Sequence, residues 1–190
     1  VRLVGSEMCI RDRLKPGELK EVGNMFGLGV DFKIPGLDTY TGQIPEGDVM
    51  LDRTEAGYGQ GLDLVSPLGM AMVSATAAKG KMPTPKLISS SGVQTETRRD
   101  EHKKLDPKLV AQLQDMMGAV VNGGTAAGLS KFGDVRGKTG EAEINDGSHA
   151  WFTGYRDDLA FATLIVRGGG SEHSVAITSE FLKRLDAPRS

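Results

Sequence analysis

The sequence predicts an α+β fold, an antiparallel sheet with packed helices. Two observations carry this prediction. Segments with a helical apolar period occupy the first two thirds of the chain, and three strand-like stretches follow one another directly in the last third before a closing helix. At 190 residues the chain is long enough for one domain, or a large piece of one, with a real core. Hydrophobic residues make up 38% and charged residues 25%, ordinary values for a water-exposed domain. A net charge of −2 with 5% aromatics gives neither the basic surface nor the stacking residues that a nucleic-acid partner needs. The single cysteine, Cys9, excludes an internal disulfide framework and a Cys-based zinc site. The three histidines, His102, His149 and His173, lack metal-ligand spacing, and nothing calls for a metal or another cofactor. No stretch of about 18 apolar residues exists to span a membrane.

In chain order, Leu14 to Phe26 reads as a short helix, with Leu19, Val22 and Phe26 on one face and Gly27 and Gly29 ending it. Residues 30–61, rich in Gly, Pro, Asp and Thr, read as a long irregular connection. Within it, Gly57, Gly59 and Gly61 lack the preceding strand and the Lys-Ser/Thr of a phosphate loop, and read as turn chemistry. Ser66-Pro67 is a helix start, Ser as N-cap and Pro in the first turn. Leu68, Met72, Ala75 and Ala78 then form a stripe of mostly small residues, and Gly80 and Pro83 stop the helix. Lys86 to Gln94 reads as a strand. Asp106-Pro107 caps a second helix, periodic at Leu109, Leu113, Met116, Met117, Val120 and Val121 and ended by Gly123-Gly124. The methionines at 70, 72, 116 and 117 read as core filler.

Val135 to Glu143, His149 to Tyr155 and Leu159 to Arg167 read as successive strands, the last two joined by a turn at Tyr155-Arg156-Asp157-Asp158. Residues 159–166 are apolar on both faces, the pattern of a strand covered on both sides and central in its sheet. Ser174 to Leu185 is the closing helix, with Val175, Thr178, Leu182 and Leu185 on one face.

The segment most suggestive of chemistry is Arg136-Gly137-Lys138-Thr139-Gly140-Glu141-Ala142-Glu143. A cation and a hydroxyl side by side on a strand suit a carboxylate, and flanking glycines leave the edge open to a ligand backbone. On the bare residues, a solvated Lys-Thr at a strand end is the favoured reading. The wider order discriminates: Tyr58-Gly59-Gln60-Gly61, Ser66-Pro67-Leu68-Gly69-Met70-Ala71, Gly123-Gly124-Thr125-Ala126, Lys138-Thr139-Gly140 and Ala150-Trp151-Phe152-Thr153-Gly154-Tyr155. From Leu14 to Leu185 this resembles the C-terminal half of the transpeptidase domain of penicillin-binding proteins, most like the class B type of actinobacteria.

The resemblance implies a partial serine β-lactamase/penicillin-binding transpeptidase fold. It also implies peptide cross-linking in the cell wall, by acyl transfer from D-Ala-D-Ala stem peptides through a serine acyl-enzyme. Lys138 would be catalytic, raising the positive potential of the cleft. Thr139, Gly140 and Glu141 would bind substrate: the Thr139 hydroxyl the carboxylate, the Glu141 N–H half of an oxyanion hole, and the edge from Gly140 to Glu143 the peptide itself. The implied partners are peptidoglycan stem peptides, β-lactam antibiotics and a membrane glycosyltransferase, with no nucleic acid. The implied location is the extracytoplasmic face of the cell membrane.

Two departures matter. No Ser has Lys three residues later or Asn two residues later, so the family's nucleophile and middle motifs are absent. Glu141 stands where the family usually has Thr or Ser, and its carboxylate would repel the substrate's unless it points away or pairs with Arg136. Residues 1–13 resemble translated adapter sequence and are set aside as a non-native segment, leaving 14–190 as the C-terminal part of the domain. This predicts a truncated chain, inactive by itself, whose two long helices leave apolar surface bare and lower its solubility. A serine β-lactamase or D,D-carboxypeptidase, or an inactive binding or scaffold domain of the same fold, are the alternative readings.

Overall fold

A computed structural model describes residues 13–47, 54–88, 92, 96 and 104–188. The elements are α1 (Glu18–Met25), β1 (Gly42–Gln43), β2 (Leu64–Val65), α2 (Pro67–Lys79), α3 (Pro107–Val121), a 3-10 helix (Ala127–Phe132), β3 (Arg136–Ile144), β4 (Gly147–Arg156), β5 (Leu159–Ile165) and α4 (Ser171–Leu185). Strands β3, β4 and β5 form an antiparallel sheet in that order. Helix α2 lies on one face, helix α4 on the other, and α3 packs beside β3.

The helix starts follow from their caps. Ser66 Oγ accepts from Gly69 N–H at 3.0 Å, Pro67 occupies the first turn, and Gly80 closes α2 in the left-handed region at φ 67°. Asp106 accepts from Lys108 N–H at 2.8 Å to open α3. Helix α1 begins later than the sequence predicts, at Glu18, because Gly17 stands in the left-handed region at φ 80° and caps it there. Helix α4 begins three residues early, at Ser171, although its N-cap Gly170 has no side chain to offer.

The main core gathers Val121, Ala126, Leu129, Val135, Phe152, Phe161, Val175 and Leu182 between α3, the sheet and α4. Phe152 and Phe161 stack at 6.1 Å, and Phe161 meets Phe181 at 5.8 Å. A second cluster, Val30, Phe32, Ile34, Met72 and Met82, pins the irregular segment onto α2. The buried Thr41 hydroxyl supports it, accepting from Val30 N–H at 3.0 Å and donating to Val30 C=O at 2.9 Å. Among the described residues, strand pairing in that segment comprises the two-residue ladder of β1 with β2 and isolated bridges of Lys33 with Glu96 and Ile34 with Leu37.

Several expectations are corrected. Strand β5 is an edge strand among the described residues, not a central one. It reads apolar on both faces because α2 covers one and α4 the other. Of the predicted α2 stripe only Met72 is buried outright, alongside Gly69, Ser74, Thr76 and Ala77, because the helix beds into the sheet on a broad face. Of the α3 stripe Met117 and Val121 are buried, whereas Leu109 and Met116 are each 62% exposed. Met116 is therefore not core, and Met70 is only half-buried. Leu185 lies 47% exposed on α4. Residues 86–88 are not strand, and most of the remainder of that expected element lies outside the described residues, as does Cys9.

Phe152 is fully buried where the sheet, α3 and α4 meet. Phe152→Ala is expected to cost about 3–5 kcal/mol of stability, measured by chemical denaturation.

Candidate active site

Strand alternation distributes the Lys-Thr-Gly segment. In the register of β3 with β4, Lys138 lies opposite Thr153, Thr139 opposite Phe152 and Gly140 opposite Trp151. Lys138, Gly140 and Ala142 thus share the sheet face that α2 covers, while Gly137, Thr139 and Glu141 share the α4 face with Phe152. The other edge of β3 carries no strand among the described residues.

A cleft of about 720 Å³ runs along that edge. Its walls are β3, the loop carrying Gly59 and Gln60, the first half of α2 and the apolar face of α1. Lys138, Thr139, Gly140 and Glu141 all line it, so the structure brings the predicted site residues together. Lys138 is exposed and folds back so that Nζ donates to Thr139 C=O at 2.7 Å. It makes no ion pair among the described residues. Across the strand pair, Thr153 Oγ1 donates to Met70 C=O at 2.8 Å and meets Ser74 Oγ at 2.6 Å, tying the sheet beneath Lys138 to α2.

Thr139 is 7% exposed and its Oγ1 lies 2.7 Å from Thr125 Oγ1. Two hydroxyls share one hydrogen between them, so the pair retains one O–H that can donate to a third group. Thr125 also lines the cleft. It follows the Gly123-Gly124 turn, which the buried Ala126 and Leu129 hold against the core. Sequence reasoning placed Thr125 in the family pattern without giving it a role; only folding brings it to Thr139.

Gly137 and Gly140 differ in purpose. A Cβ on Gly137 would sit 2.4 Å from Phe152 Cζ and 2.5 Å from Thr153 C=O, so this glycine is required by packing rather than by an open edge. A Cβ on Gly140 would meet Trp151 Cβ at 3.3 Å.

Glu141 neither faces Lys138 nor pairs with Arg136. Its Oε1 accepts from Ser171 N–H at 2.9 Å, capping α4. Hydrogen bonds from the Ser171 backbone and then its side chain hold the carboxyl below its ordinary value. Arg136 binds Asp134 at 3.1 Å instead. His149 Nδ1 accepts from Arg167 N–H at 2.9 Å, a structural role.

Asp63 is a site residue that the sequence did not reveal. It lines the cleft, and its Oδ1 is shielded from solvent with no hydrogen-bond partner. Burial pushes its carboxyl up to about 6.

The family model of the penicillin binding protein transpeptidase domain matches residues 6–185. This chain belongs to that family. Among solved structures, the transpeptidase domain is similar to PBP2 of Pseudomonas aeruginosa in complex with WCK 5153, at 20% identity over 95% of this chain and 45% of that one, TM-score 0.76. It is similar to PBP2 of Helicobacter pylori at 20% identity over 96% of this chain and 38% of that one, TM-score 0.72. It is also similar to penicillin-binding protein A of Mycobacterium tuberculosis in its imipenem acyl-enzyme complex, at 18% identity over 85% of this chain and 41% of that one, TM-score 0.63. At these identities the likeness establishes the fold. The chain spans less than half the length of each of these three structures. Among curated protein sequences none matches it.

Two carboxylates of the transpeptidase domain give opposite pH responses. Asp63 is raised from 3.8 to about 6, so the folded state holds its proton more tightly than the unfolded state. The stability this contributes is complete below 3.8 and is lost as pH rises through about 6. Asp63→Asn is therefore expected to exceed the parent chain at pH 7 by on the order of 1 kcal/mol after allowance for its partial exposure. The gap should close as the pH falls toward 4. Glu141 is lowered, so its contribution is present above its ordinary value of 4.5 and is lost as pH falls through the depressed value. Glu141→Ala should lower the melting temperature at neutral pH, with the difference fading in acid; thermal melts across that range check both.

Proposed function

We propose that this chain is the C-terminal part of the transpeptidase domain of a class B penicillin-binding protein of actinobacterial type. The enzyme cross-links peptidoglycan by acyl transfer from D-Ala-D-Ala stem peptides. The observation that carries this reading is the placement of Lys138 and Thr139 together on β3, beside a cleft of about 720 Å³.

The geometry supports the following roles. The ammonium of Lys138, without a counter-ion among the described residues, attracts the carboxylate of the acyl donor and raises the acidity of hydroxyls nearby. The spare O–H of the Thr139–Thr125 pair donates to that carboxylate. The Glu141 N–H stands where a developing oxyanion can be held. A serine outside these 190 residues attacks the carbonyl carbon of the penultimate D-Ala. The C–N bond to the terminal D-Ala breaks, that residue leaves as its amine, and the amine of a second stem peptide later takes the acyl group from the serine ester. The absence of any Ser with Lys three residues later supports a nucleophile held elsewhere.

Other members of the fold support the ligand class. The M. tuberculosis protein forms an imipenem acyl-enzyme, and the H. pylori PBP2 is found in complex with MreC. For this chain we assign β-lactams as acylating mimics, a membrane glycosyltransferase as partner, and the extracytoplasmic face of the membrane as location.

Fluorescent penicillin provides the test. The 190-residue chain is expected to remain unlabelled. The product of the same gene extended upstream to a Ser-x-x-Lys motif is expected to be labelled. In that longer protein Lys138→Ala should slow acylation about 10²-fold. Covalent labelling of the 190-residue chain would overturn the assignment of its nucleophile.

A further inference from the structure

Gln60 occupies the strand edge on which a peptide would dock. Its Nε2 donates to Glu141 C=O at 2.9 Å, and its Oε1 accepts from Glu143 N–H at 3.2 Å. A side-chain amide here makes the two bonds that a residue of an added strand would make. In an antiparallel pair, residues alternate between facing the partner strand and facing away from it. Glu141 C=O and Glu143 N–H therefore point outward, and so do Thr139 C=O, Glu141 N–H and the remaining main-chain groups of Thr139 and Glu143. Of the four outward groups from Thr139 C=O to Glu143 N–H, Lys138 Nζ takes Thr139 C=O and Gln60 takes Glu141 C=O and Glu143 N–H. The Glu141 N–H remains.

The amide is held in place by its loop. Gln60 N–H donates to Glu55 C=O at 3.0 Å, and Gly59 N–H to Ala56 C=O at 3.0 Å. Gly59 and Gly61 stand in the left-handed region at φ 80° and 75°. A Cβ on Gly61 would lie 2.7 Å from Glu55 Oε2, so the loop closes on itself around a glycine. Such anchoring fixes the backbone from which the Gln60 amide reaches β3.

We propose that Gln60 is a specificity-determining stop on the β3 edge. By filling Glu141 C=O and Glu143 N–H, it limits the pairing of a bound peptide along this stretch to the Glu141 N–H. The ligand is then held by its terminal carboxylate, at Lys138 and the Thr139–Thr125 pair, and by a single carbonyl near it. Residues further from the carboxyl end gain no main-chain bonds from β3 along this stretch. The site therefore reads the last two residues of a carboxylate-ended peptide and is indifferent to what precedes them. This rests on the function proposed above.

The test uses the 190-residue chain and N-acetylated peptides that end in D-Ala-D-Ala. The peptides lengthen from two residues to five, each as free carboxylate and as C-terminal amide, and binding is followed by NMR titration. For the unaltered chain the affinity is expected to change by less than about twofold along the series. In Gln60→Ala the freed groups accept the longer peptides, and affinity should climb about three- to tenfold with length. Gln60→Glu, which keeps the side-chain length but replaces the donor with an acceptor that repels Glu141 C=O, should gain in the same sense. One length profile shared by all three proteins overturns the stop. Equal binding of carboxylate and amide forms overturns the proposed function instead, while the length profiles still decide the role of Gln60.

Discussion

The register of β3 on β4 is the constraint on which the rest of this structure depends. With Lys138 opposite Thr153 and Thr139 opposite Phe152, alternation sends the ammonium to the α2 side and the threonine hydroxyl toward Thr125. A slip by one residue would exchange the faces, burying Lys138 over the Phe152 core and turning Thr139 under α2. Two features hold the register. Ile144 pairs with Gly147 across the two-residue turn at Asn145 and Asp146. Gly137 lies so close to the Phe152 ring that no residue with a Cβ could take its place without displacing that ring. The core side chain and the candidate site are thus fixed by the same backbone contact.

From that register each structural tie around β3 also shapes the site. The Glu141 carboxylate begins α4 from across the sheet, which is how the helix starts at Ser171 behind a glycine that cannot cap it. The Thr153 hydroxyl locks β4 to Met70 and Ser74 of α2 directly behind Lys138. Thr125 carries the end of α3 to Thr139. At the far end of the sheet, Arg156 grips Asp186 through bonds of 2.8 and 2.7 Å and fastens β4 to the end of α4. The first three of these ties each join a cleft residue to a helix or its end, whereas the Arg156–Asp186 pair holds the sheet away from the cleft.

Much of this was legible in the sequence, where the signal is local. Ser66-Pro67 and Asp106-Pro107 open helices because their caps lie within three residues of the groups they satisfy. The three strands and the two-residue turn at Asp157-Asp158 follow from alternation and turn chemistry. Lys138 and Thr139 were recognisable because cation and hydroxyl are neighbours in the chain. What failed was long-range. The cap of α4 comes from Glu141, thirty residues away, and the clamp on the β3 edge from Gln60, more than eighty residues away. The apolar run of β5 could not distinguish a central strand from an edge strand covered on both faces by helices. Helical periodicity gave the phase of α3 but not how far its stripe is covered, so Leu109 and Met116 read as core and stand exposed.

The exchange of Thr or Ser for Glu at 141 looked from the sequence like a charge set against its own substrate. The folded arrangement removes the conflict. The Glu141 side chain projects to the α4 face, where the helix N-terminus favours a negative charge, and its carboxyl is held below the ordinary value by Ser171. The main-chain N–H, which any residue but proline supplies, remains directed outward at the β3 edge. The carboxylate that does line the cleft without a partner is Asp63, for which burial makes the charge costly. Lys138 therefore keeps a charge that neither carboxylate neutralises by direct contact. The sequence alone set the Glu141 carboxylate against an anionic ligand; the fold turns it to α4 and leaves the lysine side of the strand to Lys138.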